Sequence, residues 1–202
     1  MSEETKNTQL RVSPSDEELV KSAKMGDHLA FEQLVQRYEE KIYNLIYRMV
    51  DDKTIVKDIL QETFIKAYRS LPYFRENSKF STWLYRIAIN FCLMHARKKK
   101  KKTLPLDELI QTEEGEIPKD IPDWSSNPEA TLQNKELKNK LESAISSLPD
   151  DYKSVLILRD IDGLSNKEVS KILNITVPAV KSRIHRAREF LRERLSEYFS
   201  RN

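Results

Sequence analysis

Only three of the 202 residues are glycine, and a single cysteine, Cys92, is present. So few glycines provide no phosphate-cradling glycine loop and, with a third of the residues charged, favour helices over a sheet. One cysteine cannot form an internal disulfide, and its apolar neighbours suggest a buried thiol rather than a nucleophile, which fits a reducing compartment. His28, His95 and His185 are scattered without a ligand-spaced pair, which argues against a metallohydrolase, so no metal or cofactor is expected. No apolar run approaches the roughly 20 residues that span a bilayer, and no basic-then-apolar leader is present. A cytoplasmic chain without membrane insertion is the expectation.

Charge is abundant, and its distribution matters more than the formal total of +3. From Leu164 to Arg188 the chain reads LSNKEVSKILNITVPAVKSRIHRAR. Ser165 and Glu168 have capping-box spacing, Val169, Ile172 and Leu173 supply an apolar face, and Asn174 tolerates the left-handed backbone that ends a helix. Thr176 then caps a second helix with Pro178 in its first turn. Val180, Ile184, Ala187, Leu191 and Leu195 form one apolar stripe along it. Lys181, Ser182, His185 and Arg186 project the other way, with Arg183 and Arg188 beside them. From Lys181 to Arg194 six Lys or Arg face two Glu, more cation than helix pairing needs. The pattern predicts a DNA-reading helix-turn-helix and is less well explained as a solvated helical hairpin.

Three further segments follow from the pattern. After a polar start, expected to be disordered over 1–15, residues 16–102 read as helices. Phe31, Leu34, Val35, Tyr38, Ile42, Leu45, Ile46 and Met49 line one, Ile55, Ile59, Phe64 and Tyr68 another, and Ser81–Lys101 forms a third, together a bundle. Residues 103–131 hold four prolines and eight acidic residues against Lys119 alone, the composition of an extended acidic linker. Residues 132–202 carry two helices, Leu132–Ser147 and Tyr152–Arg159, before the helix-turn-helix, with Leu137, Leu141, Ala144, Ile145, Val155, Leu156 and Leu158 as their core. The expected fold is all-α, two small helical domains joined by that linker.

The stretch from Tyr73 to Trp83 sets aromatics beside cations, an arrangement that can stack unpaired bases, although core packing is the commoner role of any single ring. Beyond it Arg86, Asn90, Leu93 and Arg97 share a helix face, and Arg97 opens a run of cations through Lys102 suited either to phosphates or to a solvated helix end. Asp58, Gln61 and Glu62 form a polar cluster that serves equally as a solvated face or a docking surface.

LQETFIKAYRSLPYFRENSKFSTWLYRIAINFC resembles the second conserved region of sigma-70-type factors of the extracytoplasmic-function group, and LPDDYKSVLILRDIDGLSNKEVSKILNITVPAVKSRIHRARE resembles the fourth. The resemblance runs from about Asp16, in order, across nearly the whole chain. It implies an alternative sigma factor, not an enzyme, that binds core RNA polymerase and directs initiation. Residues 16–102 would be region 2 and 132–202 region 4. Asp58, Gln61 and Glu62 would dock on the beta-prime clamp coiled coil, and region 4 on the beta flap. Phe74, Ser78, Phe80, Trp83, Arg86, Asn90 and Arg97 would capture the minus-ten strand. Lys181, Ser182, Arg183, His185 and Arg186 would read the minus-thirty-five duplex, and the linker would thread the polymerase channels. An anti-sigma factor is the implied regulator. Departures from the family pattern are Met94, His185, and Glu76-Asn77 where a Gly-Asp pair is common. A conventional regulator would need a sensing domain that is not evident here, and a sigma-like decoy would bind core polymerase without promoting initiation.

Overall fold

The computed structural model describes residues 13–103 and 129–199, and among the described residues there is no strand. The expected acidic linker at 104–128 and the expected disordered start up to residue 12 lie outside the described residues. Eight α-helices are described: α1 (Asp16–Lys24), α2 (His28–Met49), α3 (Val56–Ser70), α4 (Phe80–Thr103), α5 (Glu129–Ser147), α6 (Asp150–Leu156), α7 (Asn166–Leu173) and α8 (Val177–Phe199).

Local chemistry sets where several helices begin. Ser15 and Glu18 form a capping box on α1, and Asp27 accepts from the Leu29 and Ala30 amides to start α2. Ser165 and Glu168 repeat the box on α7, Asn174 ends that helix at φ 54°, and the Thr176 hydroxyl accepts from the Ala179 amide to open α8. The helix-turn-helix is therefore built as its residues predicted.

In the amino-terminal bundle α1 packs on α2, and α3 sits against α2 and α4. The buried face of α2 is Ala30, Leu34, Tyr38, Ile42, Leu45, Ile46 and Met49, with Phe31 and Val35 at its margin. On α3 the buried face is Val56, Ile59, Thr63 and Ala67; of the predicted residues Ile59 is fully buried, Ile55 and Phe64 pack half-buried against the core, and Tyr68 is exposed. Thr63 enters the core because its hydroxyl donates to the Ile59 carbonyl at 2.7 Å, satisfying its polar group within the helix. Tyr68 moves to the surface, where its hydroxyl hydrogen-bonds His28 Nδ1 at 2.8 Å.

The larger difference lies at α6. The predicted helix through Arg159 stops at Leu156 and widens into a five-residue π turn, Ile157–Ile161. Residues 153–158 are all buried, so this segment is enclosed on every side, with α8 on one flank and α2 and α4 on another. Leu156 packs with Leu148 and Ala187, whereas Val155, Ile157 and Leu158 join the main core with residues of the amino-terminal bundle. The expected self-contained carboxy-terminal core is thus divided. Leu137 is only half-buried and Leu141 is exposed, bordering a cleft with Tyr47 and Ile161.

Asn174 provides a direct test of the turn. Asn174→Val places a β-branched residue in the left-handed region and should cost about 1–2 kcal/mol, while Asn174→Gly should change stability by less than about 0.5 kcal/mol, both read from urea midpoints.

Candidate nucleic-acid interface

The loop between α3 and α4 is shaped by its buried aromatics. Phe74 and Phe80 are 6% and 4% exposed and pack edge-on to one another, with Trp83 4.9 Å from Phe74 and Tyr38 5.6 Å from Phe80 between ring centroids. The sequence offers Phe74 and Phe80 as stacking faces. The structure instead commits both rings to the core, where Phe80 meets Tyr38 of α2 and Phe74 meets Phe80 and Trp83, so burial of apolar area outweighs exposure for stacking. Trp83 is half-buried, Ser78 half-buried, and Arg75, Glu76, Asn77 and Lys79 are exposed.

Beside the loop lies an open cleft of about 790 Å³, walled by Asp16, Arg37, Tyr38, Asn77, Ser78 and Phe80 among others. Asp16 is held by the Arg37 guanidinium and accepts from the Tyr38 hydroxyl, and burial followed by that bond pushes the phenol well above its usual pKa. Asp16 and Arg37 escaped the sequence reading as wall residues because they sit on α1 and α2, roughly forty to sixty positions from the loop, and Tyr38 was read only as part of the apolar face of its helix. Glu76 has φ 57°, a left-handed conformation costing a non-glycine residue about 1 kcal/mol.

On α4, Arg86, Asn90 and Arg97 are exposed as expected. Arg86 donates through Nε to the Lys171 carbonyl on α7 at 3.0 Å and through a second guanidinium nitrogen to the same oxygen. Lys79 and Glu168 form a further bridge at 3.3 Å. Lys98 is exposed, and the side chains of the lysines from 99 to 102 lie outside the described residues. Asp58, Gln61 and Glu62 are exposed together on α3, with Glu62 3.7 Å from His95.

On the second helix of the helix-turn-helix, Lys181, Ser182 and Arg186 are exposed. Arg183 and His185 are half-buried, Arg183 3.3 Å from Asp151 and His185 3.9 Å from Glu189. Arg97 and Arg183 border the same cleft of about 380 Å³, which brings together residues assigned to different promoter elements. Arg188 does not flank the reading face freely. Its guanidinium grips both oxygens of Asp160 at 2.8 and 2.9 Å and ties α8 to the π turn.

Residues 34–102 match the sigma-70 region 2 family and residues 138–191 the sigma-70 region 4 family. The chain is 43% identical over 178 residues to the ECF RNA polymerase sigma factor SigW of Bacillus subtilis, covering 88% of this chain and 95% of that protein. The chain belongs to the ECF sigma factors. It is also 40% identical over 179 residues to the ECF RNA polymerase sigma-E factor of Escherichia coli K12, covering 87% of this chain and 91% of the relative. Among solved structures, CnrH in complex with the cytosolic domain of CnrY superposes with a TM-score of 0.65 at 26% identity, over 90% of this chain and 97% of that one.

In this ECF factor region 4 is seated on region 2, and one carboxylate stands out along the seam. Asp162, just after the π turn, is 3.4 Å from Arg48 on α2 with its side chain 11% exposed. Its Oδ2 is buried with no hydrogen-bond partner among the described residues. Burial pushes the carboxyl up to about 6 against the opposing pull of Arg48. Tyr85 on α4 faces it and is itself raised to about 12, by burial first and then by the Asp162 charge. Cys92 is buried and its thiol pushed up to about 12, so it is an inert packing group.

Asp162 holds its proton up to about pH 6 when packed but only to about pH 4 in an unfolded chain. Its stabilising contribution is therefore complete below about pH 4 and is lost as pH rises through 6. Relative to Asp162→Asn, the wild type should lose on the order of 1 kcal/mol between pH 5 and 7. Parallel unfolding curves for the two proteins across that range would show that this carboxyl does not titrate there.

Proposed function

We propose that this chain is an alternative sigma factor that binds core RNA polymerase and recognises promoters in two stages. Region 4 would read the minus-thirty-five duplex, and region 2 would hold the opened minus-ten strand. The observation that carries this reading is the ordered pair of sigma regions on one chain, with the exposed Lys181, Ser182 and Arg186 face on the second helix of a capped helix-turn-helix. Polymerase supplies the chemistry, and the chain itself needs no catalytic residue. Module boundaries of 16–102 and 132–202 separated by the 103–131 linker, and a cytoplasmic location, belong to the same proposal.

Residue roles follow from exposure and chemistry. Lys181, Ser182 and Arg186 present donors suited to base edges, and Arg183 would contact phosphate once released from Asp151. His185, half-buried, would sit at the margin of that face. For strand capture, the exposed edges of Ser78 and Trp83, the cleft beside them, and Arg86, Asn90 and Arg97 would contact the unpaired strand. Phe74 and Phe80 would support it from beneath. Asp58, Gln61 and Glu62 would dock on the beta-prime clamp coiled coil and region 4 on the beta flap.

Elements 25 base pairs apart lie roughly 85 Å apart on straight duplex DNA at about 3.4 Å per pair. Arg97 and Arg183 border one small cleft in this arrangement. Both elements can be read by one chain only if region 4 leaves region 2, freeing Arg86 from Lys171. A partner that favours the packed arrangement would oppose this separation. An anti-sigma factor is the proposed partner of that kind, consistent with CnrH having been solved with the cytosolic domain of CnrY.

Transcription from a promoter library with cognate core polymerase tests the reading. Defined start sites dependent on this chain are expected; tight core binding without initiation would identify a decoy instead. Arg186→Ala should weaken holoenzyme binding to the upstream duplex roughly tenfold, within the 1–3 kcal/mol of a base contact, without altering core affinity. Equal loss of both would make Arg186 a structural residue.

A further inference from the structure

Lys24 ends α1, and its ammonium reaches a loop fifty residues further along the chain. Nζ donates to the Phe74 carbonyl at 2.9 Å and to Glu76 Oε1 at 2.8 Å. The two acceptors flank Arg75, so one cation grips the backbone on one side and the side chain on the other. Glu76 is the residue whose backbone is left-handed, a conformation that an L-residue other than Asn or Asp rarely adopts. Glycine would enter it without a steric penalty, but glutamate needs a partner that holds it there.

The ion pair alone is a weak restraint, since the Glu76 side chain is 59% exposed. The bond to the Phe74 carbonyl is part-buried, and the Phe74 ring is locked in the aromatic cluster. Together they tie a strained turn to a rigid base. Residues 76–81 line one side of the open cleft, so the turn at Glu76 sets the position of that wall. Lys24 itself is not among the cleft-lining residues and would act through the loop.

We propose that Lys24 is a positioning residue for strand capture: its clamp on Phe74 and Glu76 holds residues 74–80 in the shape that receives an unpaired base. Ordering the loop before binding removes that entropy cost from the binding step. This role rests on the strand-capture reading above, whereas the clamp itself is a property of the free chain.

Two measurements separate those levels. In the full-length free protein, Lys24→Met should speed amide hydrogen exchange at residues 74–80 at least fivefold, and Lys24→Arg should not. In reconstituted holoenzyme, binding is read with a fluorescent oligonucleotide carrying the non-template strand of a promoter selected in the transcription assay. Lys24→Met should weaken that binding about fivefold, with core affinity and upstream-duplex affinity unchanged. The same change in a Glu76→Gly background should cost twofold or less, because the strain that the clamp offsets is gone. Unchanged loop exchange would overturn the clamp. Faster exchange with unchanged strand affinity would overturn the positioning role, and a parallel fall in core affinity would reduce Lys24 to a general structural residue. A wild-type holoenzyme that fails to bind the strand above a scrambled control would overturn strand capture and with it the positioning role, leaving exchange to decide the clamp alone.

Discussion

A helix that is apolar on every side cannot lie on a surface, and the segment from Val155 to Leu158 is apolar on every side. It must be enclosed, and the enclosure is what joins the two halves of this sigma factor. Leu156 faces Leu148 and Ala187 within region 4, while Val155, Ile157 and Leu158 enter the core built by region 2. Lys153 is buried with them at 2% exposure and reaches Asp51 at 3.3 Å on the region 2 side. The π turn that follows carries the chain to Asp160, which holds Arg188 on α8, and to the turn at Asp162, which meets Arg48. Burial of one short segment therefore sets where the helix-turn-helix sits.

The seam carries a polarity cost that a purely structural core would avoid. Asp162 has one buried oxygen without a hydrogen-bond partner among the described residues, and the exposed Arg86 is tied across the seam to a helix carbonyl. Buried polar groups with incomplete partners favour an interface that can part, because each regains water on separation. Apolar contact drives the packing of region 4 on region 2, and the unpartnered oxygen of Asp162 limits how firmly it holds. Such a balance suits the separation of the two regions proposed above for promoter recognition.

Much of the molecule is legible in its residues. The capping box at Ser165, the left-handed Asn174 and the apolar stripes of α2 and α8 are local, and local spacing is what sequence displays. The exposed face of Asp58, Gln61 and Glu62 and the outward Lys181, Ser182 and Arg186 follow from the same helical periods. What failed to show was non-local. The run Val155-Leu156-Ile157-Leu158 has no period, and four successive apolar residues were the available sign of burial on all sides. Phe74 and Phe80 were read beside the cations next to them in the chain, yet Tyr38 across the fold decided their place. Thr63 is not among the apolar residues that mark the face of α3, because the bond to Ile59 that lets it be buried is made only once the helix exists.

The sequence by itself determined which stretches are helical, the caps and turn of the helix-turn-helix, the charge of each face and the order of the two sigma regions, since each depends on residues within a few positions of one another. Tertiary structure alone decided which aromatics are spent on the core, which cations are already paired, and how the loop from Phe74 to Phe80 is held. Lys24 and Glu76 meet across fifty residues, and Arg86 and Lys171 across eighty-five. Contacts of that separation exist only after the apolar surfaces have packed, so no local pattern of residues records them.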